Sequence, residues 1–312
     1  MGKPERCSVI IPTYNRANLL QLTLEALARQ DIGRDAFEVL VVDDGSFDDT
    51  AAVVRRYEPR MNLRYFFQRD EGFRAAAARN VGIDHAAGDV CVFIDSGVLP
   101  HSRCLRAHLD SHADHEPVAV IGYVYCFNHD NQDAEHMLGS LDFTDPDATI
   151  DNLTRRRKWL DVREAFYDRY GDRFSDLPAP WVVYWTCNSS ARTDQLRAIG
   201  GFDEAFRSWG AEDTDLGYRL HRDGARFVLD RAAGAIHFPH DKSTDTKNRT
   251  LYENYAYIVS KYRTPIIELL IDTDVKCFDI NDVIRERRLP DCAEYLAAHA
   301  NREATRSTSH RG

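Results

Sequence analysis

The chain has 312 residues, with 40 basic and 50 acidic side chains, a formal net charge of -10 and 43% hydrophobic residues. That length holds one large domain or two coupled ones with a real core, and the negative balance repels a phosphate backbone, which argues against nucleic acid as a partner. The seven cysteines are odd in number, widely spaced and mostly set in apolar runs such as Val90-Cys91-Val92-Phe93. With no C-x-x-C pair, they read as buried thiols of a reducing compartment, which argues against zinc or redox work.

The start, Met1 to Arg6, lacks the apolar stretch of a secretory signal, and no segment approaches the roughly 20 apolar residues of a membrane span. The expected location is the cytoplasm, where the Asn-x-Ser/Thr triplets at Asn152, Asn188 and Asn248 carry no glycosylation meaning. The first third alternates β-rich runs with helical stretches, the pattern of a parallel sheet covered by helices. Strands are predicted over Ser8 to Ile11, Glu38 to Val42, Leu63 to Phe67 and Val90 to Ile94. Leu20, Leu24 and Leu27 recur at helical spacing, Ser46 looks like the N-cap of a second helix, and an alanine-rich third helix runs from Arg74 through His85 towards Gly88.

A helix near Arg103 to His112 leads to an apolar strand, Val118 to Phe127, and then to an acidic stretch from Asn128 to Asp151 that reads as an irregular, mobile loop. The basic block Arg155-Arg156-Arg157-Lys158 reads as a solvated helix face, with acceptor or phosphate contact as the alternative. Strand character resumes at Trp181, followed by helix Thr193 to Ile199, a Gly200-Gly201 break, helix Asp213 to Arg222, and two short strands, Arg226 to Leu229 and Ala235 to Phe238. The last sixty residues read as helical, with Tyr252, Tyr255, Ile258, Val259 and Tyr262 on one face and a disordered tail from Arg302 to Gly312.

The patterns G-x-G-x-x-G, G-x-x-x-x-G-K-[ST], G-x-S-x-G and H-E-x-x-H are absent, which weakens dehydrogenase, phosphate-loop, hydrolase and zinc-protease readings. What remains is a set of carboxylates at strand ends, where open α/β sheets bind ligands. Asp43-Asp44-Gly45-Ser46 ends one apolar strand; such an acid either accepts a hydrogen bond from a base or ribose hydroxyl or caps the turn. Asp95-Ser96-Gly97 ends another, where a carboxylate suits a hard cation on phosphates or, equally, a plain turn. Glu212-Asp213-Thr214-Asp215 crowds three acids at a helix start; the helix dipole alone accounts for them, or one abstracts a proton from an acceptor. His237, in Ala235-Ile236-His237-Phe238-Pro239-His240, is structural or a metal ligand.

Taken together over roughly residues 7 to 240, these pieces resemble the family 2 glycosyltransferases of the GT-A fold. The motifs that carry the likeness are Ser8-Val9-Ile10-Ile11-Pro12-Thr13-Tyr14-Asn15-Arg16, Val42-Asp43-Asp44-Gly45-Ser46, the block from Gly72 to Gly82, Phe93-Ile94-Asp95-Ser96-Gly97, Gly200-Gly201-Phe202-Asp203 and Trp209-Gly210-Ala211-Glu212-Asp213. The last two also look like the galactosyltransferase and chondroitin-synthase type. The resemblance implies an α/β, Rossmann-like nucleotide-binding sheet with helices on both faces and a C-terminal helical extension. It implies a donor half over 1–127, an acceptor and catalytic half over 128–250, and an extension over 251–312.

It further implies inverting transfer of a single sugar from a nucleotide-diphosphate sugar, UDP-linked by expectation, to an acceptor whose identity the sequence does not give. Pro12, Thr13, Tyr14, Asp44, Arg79, Asp95 and Ser96 would bind the nucleotide, Tyr14 packing on the base and Asp44 hydrogen-bonding it. Asp213 would be the general base, and Glu212 and Trp209 would hold a sugar or acceptor. Asp95 would carry Mn²⁺ or Mg²⁺ on the diphosphate. Gly97 stands where the second acid of the D-x-D element belongs, so the cation needs one further group; His237 is the candidate and His240 the alternative, an imidazole suiting Mn²⁺ better than Mg²⁺. The competing readings are a sugar-phosphate nucleotidyltransferase, which would want a glycine-rich basic loop where Pro12-Thr13-Tyr14-Asn15-Arg16 stands, and a non-catalytic nucleotide-sugar-binding protein.

Overall fold

The computed structural model describes residues 6–114, 116–127, 133–239, 244–292 and 294–298. Its centre is one eight-stranded sheet: β1 Cys7–Thr13, β2 Phe37–Asp43, β3 Leu63–Phe67, β4 Val90–Ile94, β5 Val98–Pro100, β6 Val118–Tyr125, β7 Asn188–Arg192 and β8 Arg226–His237. The spatial order is β3-β2-β1-β4-β7-β6-β8-β5. β1 to β4 pair in parallel, β7 is antiparallel to both β4 and β6, β8 runs parallel to β6, and β5 closes the edge antiparallel to β8. The sheet is therefore mixed, whereas the alternating pattern of the first third had indicated only its parallel half.

Alternation along the parallel strands sorts their side chains onto two faces. Val9, Ile11, Val39, Val41, Val92 and Ile94 share one core with Leu20, Leu24 and Leu27 of α1 (Ala17–Leu27) and with Val53 and Val54 of α2 (Thr50–Tyr57). Ile10, Leu40, Cys91 and Phe93 point the other way, into a core shared with Ala76 and Ile83 of α3 (Ala75–His85). Leu20, Leu24 and Leu27, each fully buried, contribute about 1.5–3 kcal/mol apiece by leaving water. Helices cover both faces as expected: α4 Cys104–Ser111, α5 Ala134–Ser140, α6 Pro146–Arg156, α7 Glu164–Tyr170, α8 Thr193–Ala198 and α9 Glu212–Arg222. The helical C-terminal part comprises α10 Thr244–Tyr262, α11 Pro265–Glu268 and α12 Ile280–Arg287.

Four local expectations need correction. Of the stretch from Asn128 to Asp151, residues 128–132 lie outside the described residues, and 133–151 are not an irregular loop: they carry α5 and most of α6, which opens with Asp145 accepting from Ala148 N at 3.1 Å, Pro146 in the first turn, and Ile150 and Leu153 buried. Ser46 is not an N-cap; its Oγ accepts from Asn15 N at 2.7 Å, while Asp48 Oδ1 takes Thr50 N at 3.0 Å at the start of α2. The apolar run from Trp181 is a 3₁₀ turn buried on all sides, so β7 starts only at Asn188. The two short strands after Arg226 are one, β8, whose pairing with β6 shifts register between Gly122 and Val124, and the small residues around that shift had masked its continuity. Arg155, Arg156 and Arg157 end α6 in solvent and Lys158 lies 3.8 Å over the Trp159 ring, so the basic block is a solvated helix end. His240 and the tail 299–312 lie outside the described residues.

Candidate active site

The site gathers at the carboxyl ends of β1, β2 and β4, where parallel strands leave their loops on one edge. The turns after β1 and β2 are sewn together: Asp44 N donates to Thr13 O at 2.8 Å, Asn15 N to Ser46 Oγ, and Phe47 N to Asn15 Oδ1 at 2.9 Å. Ser96 Oγ donates to Pro12 O at 3.2 Å, tying the turn after β4 to the same edge. Asp44 is buried and already engaged, accepting from Gln68 Nε2 at 2.5 Å and from Arg74 N at 2.8 Å. Tyr14 stands open, 42% exposed, with its hydroxyl donating to Asp70 Oδ2 at 2.9 Å. The edge thus offers one buried, oriented carboxylate and one exposed ring, which suits a flat heterocycle with donor groups on its rim.

Beside it lies a carboxylate cluster organised by one arginine. Arg79, 4% exposed on α3, donates from Nη2 to Asp95 Oδ1 and from Nη1 to Glu212 Oε1, each at 2.9 Å, with its guanidinium 5.3 Å from the centre of the Phe202 ring. The ion pairs join the turn after β4 to the start of α9 through Arg79, which lies 133 positions before Glu212 in the chain. Asp95 keeps a side chain 38% exposed, while Glu212 is buried and its Oε2 has no hydrogen-bond partner. Such an oxygen is costly unless something donates to it. Next in sequence, Asp213 accepts from Thr214 N at 2.8 Å. Burial first and the Glu212 charge second push its carboxyl up to about 7, against the opposing pull of Arg79.

On the other side of Asp95, β5 pairs with β8 so that Val98 faces His237, and Phe238 N donates to Gly97 O at 2.8 Å. His237 packs against the Phe127 ring at 4.8 Å. Gly97 has φ +97°, its N–H bonds to Thr23 Oγ1 at 2.9 Å, and a Cβ there would stand 3.4 Å from Leu19. That conformation explains why no second acid occupies the turn: a side chain at Gly97 would be strained. Among the described residues no group of three or more His, Cys, Asp or Glu side chains is arranged to enclose a metal by itself.

The glycosyl transferase family 2 model matches residues 8–171, more than half of the chain. The chain belongs to glycosyl transferase family 2. A second model, the N-terminal domain of galactosyltransferase, matches residues 173–241, which include the Gly200-Gly201 turn and the Glu212-Asp213 helix. Validoxylamine A glucosyltransferase of Streptomyces hygroscopicus subsp. jinggangensis is 37% identical over 263 residues; the match covers 84% of this chain and 62% of that one, so the chain spans less than two thirds of this relative's length. TarS 1-349 of S. aureus in complex with UDP-GlcNAc superposes with a TM-score of 0.62 at 18% identity, over 85% of this chain and 70% of that one. The mannosyltransferase PcManGT of Pyrobaculum calidifontis, in complex with GDP-Man and Mn²⁺, gives a TM-score of 0.59 at 20% identity, over 96% of this chain and 80% of that one. The fold is the GT-A arrangement. No helix among the described residues is long and apolar enough to cross a membrane.

The structure brings Arg79, Asp95, Glu212 and Asp213 into one cluster, sets Pro12, Thr13, Tyr14, Asp44 and Ser96 along the adjoining edge, and brings the β8 end with His237 up to the Asp95 turn through backbone pairing. Trp209, 38% exposed, precedes α9, whereas Trp181 and Tyr184 are core and Trp185 packs between Phe127 and Phe278. Sequence reasoning missed two features. One is the buried Asp161–Arg163 pair, whose closest contact is 2.7 Å and which also binds Val124 N, Val183 O and Gly122 O, fixing β6 to the 3₁₀ turn. The other is the way α10 holds the loop before α9. Neither has a motif, because each depends on pairings between distant segments.

Proposed function

We propose that the protein is an inverting glycosyltransferase that moves one sugar from a UDP-sugar to an acceptor nucleophile, with Asp213 as the general base. The observation that carries this reading is the Arg79 bridge, which ties a half-buried carboxylate, Asp95, to the acceptor-side Glu212, with Asp213 next to it in the chain. A base that works near neutral pH wants a carboxyl raised to about that range, and burial beside Glu212 gives Asp213 that character. Asp213 takes the proton from the attacking acceptor group while the bond from the anomeric carbon to the diphosphate breaks on the opposite side, so the configuration inverts. Glu212 Oε2, buried and unpartnered, accepts from a hydroxyl of the sugar or acceptor and orients it, and Trp209 offers a flat face at the entrance.

The nucleotide lies along the β1–β2 edge, its base on Tyr14 and its donor groups directed to Asp44, with Pro12, Thr13 and Ser96 shaping the wall. The residues present suit a divalent cation. Asp95 is half-buried and bonds Arg79 through Oδ1, and His237 approaches from β8, so a carboxylate oxygen and an imidazole would hold the ion beside the diphosphate oxygens. When bound, Mn²⁺ or Mg²⁺ would neutralise charge on the departing diphosphate. The neighbours with UDP-GlcNAc and with GDP-Man and Mn²⁺ support the same donor class. We assign 1–127 to the donor, 128–250 to the acceptor and chemistry, and 251–312 to an extension, although α10 runs across position 250. The seven free thiols, six of them buried, fit a cytoplasmic setting.

Incubation with a panel of UDP-sugars, Mn²⁺ and candidate acceptors tests the reading through free UDP and the anomeric configuration of the product. UDP release with an inverted product is expected. Pyrophosphate exchange in place of UDP, or a retained configuration, contradicts it.

A further inference from the structure

The turn that launches α9 is left-handed at two successive residues: Gly210 at φ +99° and Ala211 at φ +71°, ψ −8°. Glycine accepts this freely, but Ala211 carries a Cβ that disfavours it. The first helical bond, Asp215 N to Ala211 O at 3.0 Å, starts from that strained residue, so the direction of α9, and of Glu212 and Asp213 in its first turn, depends on the turn being held.

What holds it is one face of α10. Asn254, 9% exposed, donates from Nδ2 to Gly210 O at 2.7 Å, stands 3.3 Å from Ser208 O and 3.4 Å from Trp209 O, and accepts from Ser208 Oγ at 3.2 Å on Oδ1. One turn earlier, Thr250 Oγ1 donates to Trp209 O at 3.1 Å, and Leu251 closes the space in which a side chain at position 210 would sit, its Cδ1 at 3.0 Å. At the far end of α10, Lys261 Nζ and Tyr262 OH reach the buried Asp215 Oδ1 at 2.8 and 2.7 Å. The same helix therefore fixes the start of α9 from before and from within. Three successive carbonyls aimed at one amide are a specific arrangement, since a donor at that point keeps them turned towards α10 and away from their extended course.

The geometry points to Asn254 as a positioning residue: it clamps the 208–211 turn and so aims the Glu212 and Asp213 carboxylates at the acceptor. This rests on the transferase reading for its catalytic consequence, but the clamp itself can be measured without turnover. Asn254→Asp keeps the shape and the acceptor while replacing the donor with a charge that faces the carbonyls; Asn254→Ala removes both. Hydrogen–deuterium exchange over residues 207–216 is expected to quicken at least about tenfold in each variant, with Tm nearly unchanged. In steady-state assays with a UDP-sugar, kcat is expected to fall roughly 10- to 100-fold while KM for the donor stays within about threefold, as displacement of a catalytic group with an intact donor edge requires.

Unchanged exchange overturns the proposal, as does faster exchange with unchanged kcat, a loss that falls on KM, or global unfolding of both variants, which would make Asn254 a residue of general stability. Absence of turnover in the wild-type protein would refute the transferase reading alone, with the exchange measurement still deciding the clamp.

Discussion

Replacing Asp213 by asparagine should stabilise the protein at alkaline pH while removing its activity. Burial, Glu212 and, more distantly, Asp95 raise the Asp213 carboxyl from its ordinary 3.8 to about 7. An acid whose folded pKa is raised holds its proton more tightly when folded, so stability falls as pH rises from the unfolded to the folded value and the cost is fully present above about 7. At 1.36 kcal/mol per pH unit the span is worth about 4 kcal/mol as an upper figure. Asp213 keeps a partial opening to solvent, so the working value is about 2 kcal/mol. Asparagine keeps an oxygen for Thr214 N and never ionises, so the variant escapes the cost. For a chain of this length the gain corresponds to a Tm rise of about 3 °C at pH 8, smaller at pH 5 and vanishing as pH falls below the ordinary 3.8. Paired thermal melts of wild type and variant at pH 5 and pH 8 make the test. A Tm difference independent of pH, or a variant less stable than wild type at pH 8, would refute the reasoning.

The other predictions follow from single contacts. Tyr14→Phe should leave UDP affinity within about threefold, because its exposed hydroxyl bond to Asp70 adds little, whereas Tyr14→Ala should lose roughly 1–3 kcal/mol of base stacking; calorimetric titration with UDP separates them. Gly97→Asp should not tighten Mn²⁺ binding and should cost about 1–2 kcal/mol at its left-handed φ, visible as a lower Tm. His237→Ala should weaken Mn²⁺-dependent donor binding and lower activity most steeply at limiting metal. Activity indifferent to a strong chelator would contradict this and leave Arg79 and Arg74 to stabilise the diphosphate.

The sequence was most legible where periodicity is local. Leu63–Phe67 and Val90–Ile94 match β3 and β4 at both ends, and the spacing of Leu20, Leu24 and Leu27 in α1 is unambiguous because these three meet the same core. The carboxylates at strand ends were visible because apolar strands stop abruptly at Asp43 and near Asp95. Legibility failed where partners are far apart. The antiparallel insertion of β7 depends on pairing with β4 some 100 residues earlier, and the Trp181–Tyr184 run is apolar because it is enclosed on all sides, so its burial resembled a strand. The resemblance puts Arg79 near the nucleotide; that it also reaches Glu212 follows only from the fold, which sets the Arg79 side chain of α3 against the first residue of α9. The Asn254 clamp had no sequence signal, since an asparagine in a helix gives no hint that its amide faces carbonyls 44 to 46 residues earlier.

The most direct test of the central claim is UDP release from a UDP-sugar by wild type and Asp213→Asn at pH 8, with UDP affinity measured alongside. The account predicts a loss of roughly 10²- to 10⁴-fold in turnover with donor binding intact. Turnover by Asp213→Asn equal to wild type, with none in Glu212→Gln, would contradict it and move the base to Glu212.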